Sequence, residues 1–382
     1  MYNSVIQISK SALKNNIDFI KSLIDKSVTL SSVVKGNAYG HSILKMIPLL
    51  QKLEVNHFSV YSSFEAKQVF KVAKNNFTIL IMGDINNTDE DWIIDNAIEF
   101  FVFNISRLKQ MLSKAKQKKK TLIIHIEIET GMNRTGFNEE DWIQIIQLVN
   151  ANKDFIKVKG LCTHFAGAES LNNYVRVKQQ QIKFKKAIKF FKTHEIVPQQ
   201  IHCSCSAAVL AFPTKNYDMV RVGILQYGLW PSRESFIKYI SKLNINTNPL
   251  KPVLSWKSYI MDIKRVPKGE FIGYGSSFLA ENETVVASVP IGYGYGYSRS
   301  LSNLGRVIIN NVRYSVIGTI NMNMFLVDIT SSNTIAINDE VILIGSSTDL
   351  DIPLSSFCNN ADQLNYEVLS RIDKDIPRTI TL

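Results

Sequence analysis

Between Ser11 and Ile224 the chain alternates short apolar runs with helical patterns, and this alternation limits the fold more than any other feature. The runs are Ser31–Val34, His57–Tyr61, Thr78–Met82, Phe100–Phe103, Leu122–Glu129, Val158–Thr163, Ile201–Cys205 and Met219–Ile224. Between them lie segments whose apolar residues recur at helical spacing. The first is capped by Ser11 and carries Leu13, Ile17, Ile20 and Leu23. Others run from near Ser42 to Leu53, from Ser63 as cap through Val72, from Trp92 to Ala97 and from Ile105 to Ala115. Asp141–Asn150, Val175–Phe191 and the short Ser206–Phe212 complete the set. Eight buried strands alternating with helices predict a parallel (β/α)8 (TIM) barrel, an α/β fold, over residues 1–235.

After Trp230-Pro-Ser232 the helical periodicity fades. Strand-like runs at Val253–Ile263, Thr284–Pro290, Arg306–Ile309, Tyr314–Ile317, Phe325–Ile329 and Glu340–Ile344 are separated by turn residues. They predict a smaller, mainly antiparallel β domain over 236–382. One or two helices are expected between Asp351 and Asp373, then a short extended tail. Gly292-Tyr-Gly-Tyr-Gly-Tyr297 does not open a helix after a parallel strand, so it reads as a turn with packing tyrosines rather than a phosphate loop.

Composition narrows the function. The chain has 382 residues, a hydrophobic fraction of 45% and a net charge of +11. Much of the excess sits in Lys114, Lys116, Lys118, Lys119 and Lys120 at the end of one predicted helix. That run has no interleaved arginine or aromatic residues and reads as a solvated face, so no nucleic-acid partner is expected. Cys162, Cys203, Cys205 and Cys358 lack zinc-like pairing, and reduced structural thiols are expected, with no metal site. The N-terminus shows no signal peptide and no window is long and apolar enough for a membrane helix, so a cytoplasmic protein is expected.

In a barrel of this type the chemistry lies at the C-terminal ends of the strands, and phosphate often binds after strands seven and eight. Lys35 ends the first strand, followed by the pattern breakers Gly36, Asn37 and Gly40. A lysine amine has an ordinary pKa near 10.4; burial lowers it, and the neutral amine then forms a Schiff base with an aldehyde. The bland alternative is a lysine that snorkels out of a loop. Arg134 follows strand five, His164 ends strand six, Ser206 ends strand seven, and Arg221, Gly223 and Ile224 end strand eight. A single such residue more often serves structure. Together they form a constellation, with a hydroxyl and glycine-loop amides suited to a phosphate.

Val33-Val-Lys-Gly-Asn-Ala-Tyr-Gly-His41 resembles the pyridoxal phosphate lysine motif of the alanine racemases. Thr130-Gly-Met-Asn-Arg-Thr-Gly136, Thr163-His-Phe-Ala166, Arg221-Val-Gly-Ile-Leu-Gln-Tyr-Gly228, Gly273-Tyr-Gly275, Pro290-Ile-Gly-Tyr293 and Asn321-Met-Asn323 resemble further motifs of that family, in its order. The resemblance spans essentially the whole chain. It implies that Lys35 carries pyridoxal 5'-phosphate, with Tyr39, Ser206, Gly223, Ile224 and Tyr366 around the phosphate. Arg221 would face the pyridine nitrogen and His164 lie beside the ring. Arg134 would reach the substrate carboxylate, and Tyr274, from the second domain of a partner subunit, would be the second base. Met322 and Tyr293 of that subunit would line the substrate site. The implied activity is interconversion of L- and D-alanine by a homodimer, for peptidoglycan supply. A racemase acting on serine or a broad range of amino acids, and a non-catalytic pyridoxal phosphate-binding protein, are the alternatives. An arginine facing the ring argues for a racemase, since a guanidinium does not give up its proton.

The chain also departs from the family. Many members carry a carbamylated lysine seven residues before the strand-five arginine, where this chain has Glu127, expected to orient Arg134 instead. Cys205, Asn321 and Asn323 replace a usual asparagine, cysteine and aspartate. Lys374 falls where a tyrosine often supports the catalytic tyrosine.

Overall fold

A computed structural model describes residues 3–212, 217–361 and 364–382, and the side chains of 358–361, Cys358 among them, lie outside the description. Its strands are β1 (Val5–Ser9), β2 (Thr29–Val33), β3 (His57–Val60), β4 (Thr78–Ile81), β5 (Glu99–Val102), β6 (Leu122–Glu127), β7 (Ile156–Cys162), β8 (Gln200–His202), β9 (Ser204–Cys205) and β10 (Met219–Val222). The later ones are β11 (Leu254–Tyr259), β12 (Asp262–Val266), β13 (Thr284–Val289), β14 (Arg306–Ile309), β15 (Val312–Ile317), β16 (Phe325–Asp328), β17 (Glu340–Ser346), β18 (Asp351–Ile352) and β19 (Arg378–Thr381).

Two units emerge from the contacts within the chain. One comprises Lys14–Lys35 and Met46–Lys251; the other comprises the residues up to Leu13, Gly36–Lys45 and Pro252–Leu382. In the first, strands β2 to β10 form one sheet in the order β8-β7-β6-β5-β4-β3-β2-β10-β9, and every pairing is parallel. Strands β8 and β9 are consecutive stretches interrupted only at Cys203, and they border opposite ends of the row. The sheet therefore comes round on itself as the expected barrel. Helices follow the strands because a parallel neighbour needs a crossover.

Several element ends differ from expectation. The first helix starts at Lys10, and Ser9, not Ser11, caps it by accepting from Ala12 N–H at 3.2 Å. The helix Ser63–Val72 is capped by Ser62. Ser63 instead donates to Asp89 at 2.7 Å and accepts from Asn86 N–H at 3.1 Å. Period-based reading cannot separate adjacent serines. The fading periodicity after Ser232 hides a helix, Arg233–Leu243, capped by Ser232 and carrying few buried residues. The lysine run is partly neutralised: Lys114 reaches Glu90, and Lys118 and Lys120 both reach Asp95, each at 2.9 Å. Among the described residues no helix is long and apolar enough to cross a membrane.

The second unit is a mainly antiparallel sheet in the order β12-β13-β16-β15-β14-β17-β11-β1-β19, with β18 on β17. Strand β1 came from a stretch whose alternation, Val5-Ile-Gln-Ile-Ser9, was too short to stand out. It pairs antiparallel with β11 and parallel with β19, so both chain ends are tied into this sheet. The run Val253–Ile263 is two strands, with the break at Ile260 and Met261. Tyr297 is the packing tyrosine of the glycine-rich turn, buried and stacked on Phe325 at 4.6 Å.

The segment after Lys35 stores backbone strain. Gly36, Asn37, Ala38 and Tyr39 all have φ between 51° and 62°, a left-handed turn. Each non-glycine residue in that region costs roughly 1–2 kcal/mol. Gly40 continues at φ 77°, and a Cβ there would lie 2.2 Å from the Leu369 carbonyl oxygen, whereas one on Gly36 would meet nothing within 4 Å. Gly36→Ala is expected to cost about 1 kcal/mol and Gly40→Ala at least twice that, read from chemical denaturation. Equal losses would contradict this account of the turn.

Candidate active site

The residues predicted from strand ends all fall in the barrel unit, while those implied by the family resemblance alone fall in the second unit. In the barrel unit, Lys35 stands just beyond β2. The residue is exposed at the barrel mouth, yet the amine is walled closely enough that lost hydration is the largest cause of its lowered pKa. Arg134 is the next cause and Arg221 acts in the same direction, while Glu65 opposes them. A lysine so placed holds its amine in the neutral, nucleophilic form more readily than a surface lysine.

His164, following β7, is held down to about 3 by burial and by the positive field of Arg221, Arg134 and Lys35. It is a neutral imidazole at any ordinary pH. Arg134 is exposed and makes no hydrogen bond or ion pair among the described residues. Its charge is nonetheless felt by Lys35, His164 and Glu127, which brings these four together.

Glu127, at the end of β6, is buried, and burial pushes its carboxyl up; Thr135, Arg221 and Arg134 pull the other way. Its Oε2 has no hydrogen-bond partner among the described residues. The expected pairing with Arg134 is thus a matter of shared field here and not of a formed bond.

Arg221 is 4% exposed at the end of β10. Its Nη2 donates to Thr163 O at 3.0 Å, its Nη1 donates to His202 Nδ1, and its guanidinium carbon lies 5.6 Å from the Phe101 ring centre. The Nε–H has no partner among the described residues. Nearby, Ser206 accepts from Gly223 N–H at 3.0 Å, and its own proton has no acceptor among the described residues. Gly223 and Ile224 open the turn Ile224–Tyr227. A buried amine, an unpaired guanidinium donor and an unpaired hydroxyl suit an aldehyde, a ring nitrogen and a phosphate oxygen respectively, so these residues fit pyridoxal phosphate.

Period-based reading missed the residues behind Arg221. His202 Nε2 and His125 Nδ1 are 2.8 Å apart, His125 Nε2 lies 2.8 Å from Glu99 Oε2, and His57 Nε2 lies 3.7 Å from the same oxygen. The signal was present: His57, Ser59, Glu99, His125 and Glu127 are polar residues at every second position of otherwise apolar strands.

The other set lies in the second unit. Tyr39 and Tyr366 approach with ring centres 5.9 Å apart. Tyr274, Tyr293 and Met322 are exposed by 71%, 45% and 55%. They sit on three loops, two of them joined by main-chain bonds: Tyr293 N–H donates to Asn321 O at 3.0 Å and Gly294 N–H to Met322 O at 2.9 Å. Gly292 permits this approach, since a Cβ there would lie 2.0 Å from Asn321 O. Ser277, beside Tyr274, bonds Thr319 at 3.0 Å. The Tyr274 hydroxyl has no partner among the described residues, and Lys374 is exposed.

Comparison with known proteins decides the family. Residues 8–231 match the alanine racemase N-terminal domain, and residues 253–380 match the alanine racemase C-terminal domain. The chain belongs to the alanine racemase family. It is 34% identical to the alanine racemase of Leptospira interrogans, over 99% of this chain and 96% of that one. The solved alanine racemase of Clostridium difficile 630 superposes with a TM-score of 0.89 at 29% identity, covering 100% of this chain and 96% of that chain. The alanine racemase of Bartonella henselae, solved with covalently bound pyridoxal phosphate, shares the fold at 23% identity and a TM-score of 0.84, with 100% of both chains covered. The activity of this alanine racemase family member is the interconversion of L- and D-alanine, and the enzyme is an isomerase.

Burial of neutral imidazoles makes the molecule acid-sensitive. Burial lowers His41 to about 4 and His164 to about 3, from an ordinary 6.5, and lowers His125 and His202 as well. Between these values and 6.5 the unfolded chain binds protons that the folded chain refuses, so stability falls as pH falls. The contribution is complete above pH 6.5 and is lost progressively toward pH 3. Thermal melts should show a plateau above pH 6.5 and a decline below it; a Tm unchanged down to pH 4.5 would contradict this.

Proposed function

We propose that the chain racemises alanine with pyridoxal 5'-phosphate held through Lys35, using two bases on opposite faces of the substrate. The observation that carries this reading is the gathering of Lys35, His164, Ser206 and Arg221 at the strand ends of one barrel, where burial also lowers the Lys35 amine. Bound pyridoxal phosphate supplies the electron withdrawal that makes the α-proton of an amino acid acidic.

The chain's own residues do the rest. The Lys35 amine takes and returns the proton on one face. Arg221, its Nε–H unpartnered among the described residues, would face the ring nitrogen and keep its own proton, because a guanidinium does not titrate in this range. By keeping its proton Arg221 would leave that nitrogen unprotonated, which would favour return of the α-proton over transamination. His164 adds no charge, being neutral. Ser206, Gly223 and Ile224 donate to the phosphate, and Tyr39 and Tyr366 enter this reading through the family resemblance alone. Arg134 binds the substrate carboxylate, and Glu127, with one oxygen unpaired, orients it without carbon dioxide chemistry.

Tyr274 is the second base in this reading, supplied by a second copy of the chain, with Tyr293 and Met322 of that copy lining the substrate site. Its exposed, unpartnered hydroxyl suits a residue completed by another subunit. A homodimer is therefore proposed, working in the cytoplasm and supplying D-alanine for peptidoglycan. The departures at Glu127, Cys205, Asn321 and Asn323 leave room for serine beside alanine.

Chiral product analysis of the purified protein with L-alanine, L-serine and L-lysine tests this. D-alanine should form fastest, and Lys35→Ala or Tyr274→Phe should each lower the rate by roughly a thousandfold. Glu127→Ala should raise KM for alanine more than it lowers kcat. A protein that binds pyridoxal phosphate and racemises none of the three would overturn the reading.

A further inference from the structure

Behind Arg221 the barrel interior contains a polar chain whose other members the chemistry above does not use. Inward positions of such barrels are ordinarily filled by branched aliphatic residues. Here Ser31, His57, Glu99, His125, His202 and Arg221 are all buried there. Gly160 makes room for the chain, since a Cβ on it would lie 2.0 Å from His125 Nδ1.

Hydrogen-bond roles in this chain are fixed from one end. A guanidinium offers only donors, so His202 Nδ1 must accept from Arg221 Nη1. His202 then carries its proton at Nε2 and donates across 2.8 Å to His125 Nδ1. By the same logic His125 carries its proton at Nε2 and donates across 2.8 Å to Glu99 Oε2. Both rings are therefore single neutral tautomers, in keeping with the burial that lowers both pKa values. Burial pushes Glu99 up, but the hydrogen bond from His125, with the His57 ring 3.7 Å away, outweighs it and brings the carboxyl down to about 2. A carboxylate thus closes the row that a cation opens.

We propose that Glu99 is a positioning residue for Arg221, acting through His125 and His202. The carboxylate locks both tautomers, and the resulting lone pair on His202 holds the guanidinium so that its Nε–H stays free for the ring nitrogen. The inference rests on the reading of Arg221 as the residue facing that ring. Without the acceptor at Glu99, His125 would have no partner for its Nε2 proton and either tautomer would become available. Hydrogen-bonded rows of this kind are worth more than their separate pairs in a low-dielectric interior.

The test uses 15N-histidine-labelled holoenzyme as wild type, Glu99→Gln and Glu99→Leu. Glutamine keeps an acceptor and loses the charge, whereas leucine removes both. In the wild type His125 and His202 should both report the Nε2–H tautomer. Glu99→Leu should lose that signature, shift the absorption of the bound cofactor and lower kcat roughly tenfold with KM changed less than twofold. Glu99→Gln should keep the tautomers and lower kcat by a smaller factor, which preserves the test if the leucine variant does not fold. Nδ1–H or doubly protonated rings in the wild type would overturn the proposal. So would either folded variant with wild-type kcat and absorption. A wild-type enzyme that racemises nothing would instead overturn the reading on which the proposal rests.

Discussion

Burying a permanent positive charge inside a parallel barrel is the constraint on which the catalytic unit depends. Arg221 cannot relieve its burial by losing a proton, so the surroundings must accept its donors and balance its charge. Thr163 and His202 accept, Phe101 offers a ring face, and Glu99 supplies the negative charge two imidazoles away. The same field reaches outward. Arg221 contributes to the lowered pKa of Lys35 and His164 and opposes the burial that raises Glu127. One arginine thus tunes both the Lys35 amine and the His164 imidazole.

The second unit answers a different demand. Its sheet gathers both chain ends, through β1 between β11 and β19, and so anchors the loops that carry Tyr274, Tyr293 and Met322. Those three side chains stay largely exposed, although main-chain bonds join the Tyr293 and Met322 loops and Ser277, beside Tyr274, bonds Thr319. Rigid backbone under exposed apolar and aromatic side chains is what a surface completed by another subunit requires. The left-handed turn from Gly36 to Tyr39 is the costly counterpart at the other end of the chemistry, immediately after Lys35. Strain of this kind clusters at functional positions.

The barrel was legible because parallel strands buried on both faces leave dense apolar runs that no loop would carry. Lys35, Arg134, His164, Ser206 and Arg221 were legible because each follows such a run, where this architecture places its chemistry. Other features were hidden for physical reasons. Strand β1 has only two fully buried residues, Ile6 and Ile8 on one face, to announce it, and Arg233–Leu243 buries too little for a periodic stripe. Ser9 lies two residues from Ser11 and Ser62 directly beside Ser63, so the caps are set by geometry that composition does not encode. The Glu99 row was the largest omission. Its members are far apart in sequence, and only strand register brings His125 opposite Gly160 and Cys162 opposite His202.

The central claim is that one chain's barrel supplies Lys35 while a second copy supplies Tyr274. Mixing subunits tests it most directly: Lys35→Ala and Tyr274→Phe chains, each inactive alone, are co-refolded in equal amounts. If the site is shared, every mixed dimer regains one intact site of two, and the mixture should reach about a quarter of wild-type activity by random pairing. If both bases came from the same chain, every site in the mixture would still lack one of them. A mixture as inactive as its components would contradict the account.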